Sequence, residues 1–153
     1  MAILEYELTI NAPHEDVYKS SQDYSVRYQW DPFPERMELL DGATEVGIGV
    51  RTLVVAKSGL TMEVEFVQVA PPTTAAIIMI KGPIFIKSFG GSWTFRSIDG
   101  NSTKAKFRYS IKTKKWALPP ISEFIAILYF KKVVAARLSG LKKFCEQSPN
   151  CCT

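Results

Sequence analysis

Residues 3–10 alternate, with Leu4, Tyr6, Leu8 and Ile10 on one side and Glu5, Glu7 and Thr9 on the other, which is the period of a half-buried strand. Pro13 suits the first turn of a helix, and Glu15 and Asp16 behind it suit a helix N-terminus. A short helix is therefore predicted over about 13–21. A second short helical or irregular segment runs to Trp30, where Asp31-Pro32-Phe33-Pro34 stops it. Each proline there lacks a donor and restricts the residue before it. Strands follow near 35–40 and at about 47–57, 60–70, 73–81, 87–97 and 103–114, separated by Ser58-Gly59, Pro71-Pro72, Gly82-Pro83 and Asp99-Gly100. Connections this short imply consecutive antiparallel hairpins.

The strands carry one apolar face. Phe89, Gly91, Trp93 and Phe95 share a side, as do Ala105, Phe107, Tyr109 and Ile111, while Met62, Val64 and Phe66 alternate with Glu63 and Glu65. Period two sends the first three groups inward and the glutamates outward. Residues 119–147 supply the cover: Pro119 and Pro120 open a helix of about seven turns in which Ile127, Phe130, Val134, Leu138, Leu141 and Cys145 recur at steps of three and four,. Ile121, Phe124, Ile125 and Leu128 widen the apolar arc of its first half. That surplus predicts apolar space, a cavity, facing that half of the helix.

At 153 residues, 46% hydrophobic and 22% charged, the chain fits one domain with its own core. The predicted boundaries are one domain over 1–147 and a flexible cysteine-containing tail over 148–153. Nineteen Lys and Arg against fifteen Asp and Glu give a mild +4, too small an excess to imply a nucleic-acid partner. There is neither a basic, apolar leader nor a run of about 18 apolar residues to span a bilayer, so a cytoplasmic location without a transmembrane segment is expected. Lys104, Lys106, Arg108, Lys112 and Lys114 make a basic stripe on the last strand without interleaved aromatics. This stripe reads as a solvated face, with room for transient contact with a membrane surface. Cys145, Cys151 and Cys152 are odd in number and crowded at one end, which is not a disulfide framework. With His14 distant, they fall short of a metal site.

The segment Asn11-Ala12-Pro13-His14-Glu15-Asp16-Val17-Tyr18 resembles the opening of the START-like, helix-grip superfamily, a small residue and Pro leading into a helix with Val and an aromatic. Tyr28-Gln29-Trp30-Asp31-Pro32-Phe33 is similar to the Trp-Asp-Pro turn that follows in that superfamily. The order of strand, two short helices, six strands and long helix extends the resemblance over nearly the whole chain. It implies an α+β helix-grip fold: a seven-stranded curved antiparallel sheet, two short helices after strand one and a long C-terminal helix. It also implies that strand one lies beside strand seven, where Glu5 and Glu7 would pair with the basic stripe. Polyketide cyclase and dehydrase relatives and lipid-transfer domains belong to the superfamily, so the fold implies a hydrophobic guest and no single activity.

A curved sheet gripping a helix leaves space between them, and Trp30, Phe66, Trp93, Phe107, Tyr109, Phe124 and Leu128 are the candidate lining residues,. Tyr109 and Trp93 carry polar handles suited to a guest. Arg51 is a further candidate, reaching the cavity to hold a carboxylate if its strand takes the other register. Direct core packing is the competing reading for each. His14, Asp31, Glu63 and Glu65 read as cap, turn and solvated residues, which leaves the catalytic residues unassigned. No Ser-His-Asp, Cys-His, phosphate-loop or two-His pattern occurs, and no cofactor is implied. Binding or transport of a small hydrophobic ligand (lipid, polyketide or aromatic-like) leads. A polyketide cyclase or dehydrase-like enzyme and a protein adaptor are the alternatives, with a non-enzymatic role favoured.

Overall fold

The computed structural model describes residues 1–147. The chain runs β1 (Ala2–Ile10), α1 (His14–Gln22), α2 (Arg27–Trp30), β2 (Pro34–Leu39), β3 (Arg51–Ala56), β4 (Thr61–Ala70), β5 (Thr74–Lys81), β6 (Ile86–Ser97), β7 (Thr103–Thr113), a 3₁₀ turn (Lys115–Ala117) and α3 (Pro119–Gln147). All seven strands form one antiparallel sheet in the order β1-β7-β6-β5-β4-β3-β2. The two short helices carry the chain from one edge strand to the other, and a meander returns it. This is the α+β helix-grip arrangement.

The expected strand over 47–57 starts late, at Arg51. Gly49 takes a left-handed φ of 84° and Val50 N–H bonds back to the Gly47 carbonyl, so the segment before Arg51 turns instead of extending,. Register shifts between Glu63 and Val64 and between Phe66 and Gln68 add bends to the β4–β5 pair,. The sheet curves there, and its concave side receives α3.

Inward alternation on β6 and β7 is realised in register. Phe89 opposes Ile111, Trp93 opposes Phe107 and Phe95 opposes Ala105, all of them buried. On the outer face Glu5 opposes Arg108 and Glu7 opposes Lys106, and ion pairs join Arg108 to Glu5 (3.6 Å) and Lys104 to Glu7 (3.3 Å). The basic stripe is thus partly neutralised by the neighbouring strand, as solvent-exposed pairs that add little stability.

α3 packs on β1 and β7 and against α1 and α2. Phe130, Val134, Leu138, Leu141 and Cys145 form its buried stripe. Gly140 is where the helix passes α2: a Cβ there would fall 2.1 Å from the Trp30 carbonyl oxygen. Only glycine permits that approach. The predicted tail, with Cys151 and Cys152, lies outside the described residues.

Candidate ligand-binding site

The inner face of the sheet has small residues at its centre. Ala75 opposes Trp93 across β5 and β6, and Gly91 opposes Tyr109 across β6 and β7. The Tyr109 ring closes over Gly91, 3.1 Å from where a Cβ would stand, and Ala75 and Gly91 both line a cavity of ≈ 70 Å³ among aromatic walls. Phe66, Phe89, Trp93, Phe107, Tyr109 and Phe130 line it, with Met37, Leu60 and Met62 among its aliphatic residues. Its volume is below the roughly 300 Å³ at which drug-sized pockets begin. The methionines supply the adaptable side chains by which such a wall yields to a larger guest.

The charged groups of the cavity are two arginines, and its other polar side chains are Gln22, Tyr24 and Tyr109. Arg137 projects from α3 and Arg27 from α2, and both line the cavity while only 5% and 3% exposed. Between them lies Asp31. Its Oδ2 accepts from Arg27 Nε (2.9 Å), Arg137 Nη2 (2.9 Å) and Arg137 Nε (3.2 Å), and its Oδ1 accepts the Phe33 backbone N–H (3.1 Å). Arg137 Nη1 donates to the Tyr109 hydroxyl at 2.7 Å. Arg27 also donates to the Ser21 carbonyl.

Aromatic faces enclose both guanidinium groups. Arg27 sits 4.9 Å from the Trp30 ring centroid and 5.9 Å from that of Trp93, and Arg137 sits 5.1 Å from Phe107 and 5.2 Å from Phe33. These distances are those of cation–π contacts in a desolvated setting. The electrostatics follow from burial and pairing. Burial pushes the Asp31 carboxyl up, but the charges of Arg137 and Arg27 and the hydrogen bonds outweigh it and hold the group below the usual carboxylate range,. Burial likewise pulls Arg137 down, and Asp31 and Tyr109 more than reverse this, so it stays protonated. Burial raises the Tyr109 hydroxyl, which Arg137 only partly offsets. Tyr109 therefore remains a neutral donor near neutrality.

Among the residues anticipated for the cavity, Phe66, Trp93, Phe107 and Tyr109 come together on its wall. Trp30 is buried behind it, its indole N–H donating to the Ser20 carbonyl at 3.2 Å and its ring meeting Trp93 edge-on. Phe124 and Leu128 do not reach the cavity, being 62% and 52% exposed. The apolar arc of Ile121, Phe124, Ile125 and Leu128 turns to solvent, and it is Phe130, two residues after Leu128, that meets the cavity. Arg51 also lies elsewhere: period two on β3 puts Thr52 and Ala56 inward, and Arg51 pairs on the outer face with Glu63 at 3.6 Å.

Arg27, Arg137 and Asp31 as a unit went unread in the sequence. Two signals were present. Arg27 and Asp31 stand at i, i+4, and Arg137 falls in the same three-and-four rhythm as Val134, Leu138 and Leu141, where a charge is out of place,.

A groove of ≈ 740 Å³ adjoins the cavity and shares Leu60 and Phe130 with it. Ile84, Phe85, Ile125 and Tyr129 border this groove, and Tyr129 hydroxyl lies 2.8 Å from Ser58 Oγ across it. Among the described residues no helix is long and apolar enough to cross a membrane, and no group of His, Cys, Asp and Glu is placed to hold a metal ion.

The fold is shared with solved structures. The chain is similar to the di-domain ARO/CYC BexL from a biosynthetic pathway (TM-score 0.79, 14% identity, 98% of this chain and 48% of that one). It therefore spans about half the length of that protein. It is also similar to the Zhui aromatase/cyclase from a Streptomyces species (TM-score 0.75, 20% identity, 97% of this chain and 95% of that one). A START superfamily protein from Mycobacterium smegmatis matches with a TM-score of 0.71 at 13% identity, over 92% of this chain and 97% of that one. At such identities the likeness is one of fold. No curated protein matches the chain by sequence. A family model, by contrast, matches residues 1–146, nearly the whole chain, and on that ground the chain belongs to the polyketide cyclase / dehydrase and lipid transport family.

Proposed function

We propose that this protein binds a small apolar molecule between sheet and helix and carries or senses it without transforming it. The observation that supports this reading is a cavity whose walls are aromatic and aliphatic and whose charged groups, Arg27 and Arg137, are hydrogen-bond donors beside Tyr109, with Gln22 and Tyr24 as its other polar residues. This is the usual make-up of a small-molecule site, apolar with a few placed polar groups that orient the guest. A cyclase or dehydrase-like reaction would need a group poised to take a proton. Asp31, the carboxylate nearest the cavity arginines, is tied into four hydrogen bonds and held ionised by two arginines, which makes it a weak base.

Titration with an environment-sensitive fatty-acid dye tests the proposal. Saturable binding is expected, and Ala75→Leu, which adds bulk inside the cavity, should abolish it while thermal unfolding stays cooperative. Absence of saturable binding to the folded wild-type protein would remove the carrier reading.

A second reading, docking to another protein, is favoured by one feature. Trp116, Leu118, Ile121, Phe124, Ile125 and Leu128 are exposed together at the start of α3 and the turn before it. Apolar clusters of this kind mark interaction surfaces.

A further inference from the structure

We infer that the guest is a monoanion, an apolar molecule ending in one carboxylate, and that Arg27, Arg137 and Tyr109 bind its charged end. The inference rests on the cavity-binding reading and adds the chemical class of the ligand. Its basis is a charge imbalance. Two buried guanidinium groups share the single carboxylate of Asp31, leaving one positive charge in excess inside the fold. Asp31 and Tyr109 are the groups whose interaction holds the Arg137 charge. No Asp or Glu is among the residues that line the cavity. A buried charge without a counter-charge is costly, so an anion entering this cavity gains what water cannot supply there.

The donor inventory points the same way. Arg137 commits three of its five N–H donors to Asp31 and Tyr109, and Arg27 commits two of five to Asp31 and Ser21,. Tyr109 accepts from Arg137, which has no lone pair to receive the hydroxyl hydrogen in return,. That hydrogen and the remaining guanidinium N–H groups are all donors. Their complement is a group that only accepts, and a carboxylate, which takes a guanidinium bidentately, is that group.

The charge count sets the valence. One carboxylate brings the cluster of two cations and Asp31 to neutrality, whereas a dianionic phosphate would overshoot it. The aromatic walls and the ≈ 70 Å³ cavity favour a compact apolar body behind the carboxylate. Asp31 is not among the residues lining the cavity, and its oxygens are already engaged by Arg27, Arg137 and the Phe33 backbone.

Calorimetric titration of the full chain with matched acid and alcohol pairs, phenylacetate against phenylethanol and decanoate against decanol, reads this directly. The acid of a matching pair should bind at least about tenfold tighter than its alcohol, the scale of a charge-assisted hydrogen bond. Arg137→Gln should bring the two to near parity. A variant-free readout guards against misfolding: lowering the pH through the acid's own pKa should erase the acid's advantage in the wild-type protein. Equal binding of acid and alcohol would overturn the anion assignment and leave the cavity reading standing. Binding of neither would overturn both.

Discussion

Arg137 and Asp31, 106 residues apart in the chain, meet through two hydrogen bonds onto one carboxylate oxygen, from Nη2 at 2.9 Å and from Nε at 3.2 Å. The pair fastens the middle of α3 to the end of α2 beneath the cavity. Arg27 completes it from the other side at 2.9 Å. The Trp30-Asp31-Pro32 turn after α2 thus serves as the floor of a charged site.

Asp31→Asn removes the only counter-charge in this cluster and leaves two buried guanidinium groups facing each other. Breaking a buried pair from one side costs about 3–5 kcal/mol, and that loss is expected in urea unfolding. Arg137→Gln should cost less, because Asp31 keeps Arg27.

The same carboxylate sets an acid limit. Its pKa is lowered in the folded state, so the stability it contributes is fully present above the unfolded value of about 3.9. That contribution is lost as pH falls from there through the folded-state pKa. Stability measured against pH should show this loss in the wild-type protein, and Asp31→Asn should lack that increment.

Gly140→Ala places a methyl group 2.1 Å from the Trp30 carbonyl oxygen, a backbone atom that cannot turn aside. Overpacking of this kind costs about 1–3 kcal/mol, and the upper end is expected. Gly100→Ala, with nothing within 4 Å, is the control and should leave the melting temperature unchanged.

Phe124→Ser and Leu128→Ser should change stability by no more than about 0.5 kcal/mol, as exposed positions do. Phe130→Ala should cost about 3–5 kcal/mol, since its ring is 3% exposed against Phe89 and Tyr109,. Urea unfolding of the three variants checks the contrast. The two serine variants should also lower the protein's tendency to self-associate in light scattering.

Legibility in the sequence followed the physics of each element. Trp93, Phe107 and Tyr109 were readable as inward because alternation on a strand leaves only two faces. The bounds of α3 were readable from Pro119 and Pro120 and from the stripe running to Cys145. Phe124 and Leu128 misled because a broad apolar arc on a helix looks the same whether it meets a cavity or solvent. Arg137 was hidden by the opposite habit, that arginine belongs outside. Its burial depends on Asp31 and Tyr109, brought to it by the crossing of α3 over the sheet, and no local pattern records that meeting.

Indole N–H resonances followed by NMR during titration with phenylacetate or decanoate test the central claim most directly. Trp93 lines the cavity, Trp30 lies behind it and Trp116 sits on the exposed turn before α3. A guest held between sheet and helix predicts a saturable shift of Trp93, a smaller one of Trp30 and none of Trp116. A shift confined to Trp116, or no saturable shift at any of the three, would contradict it.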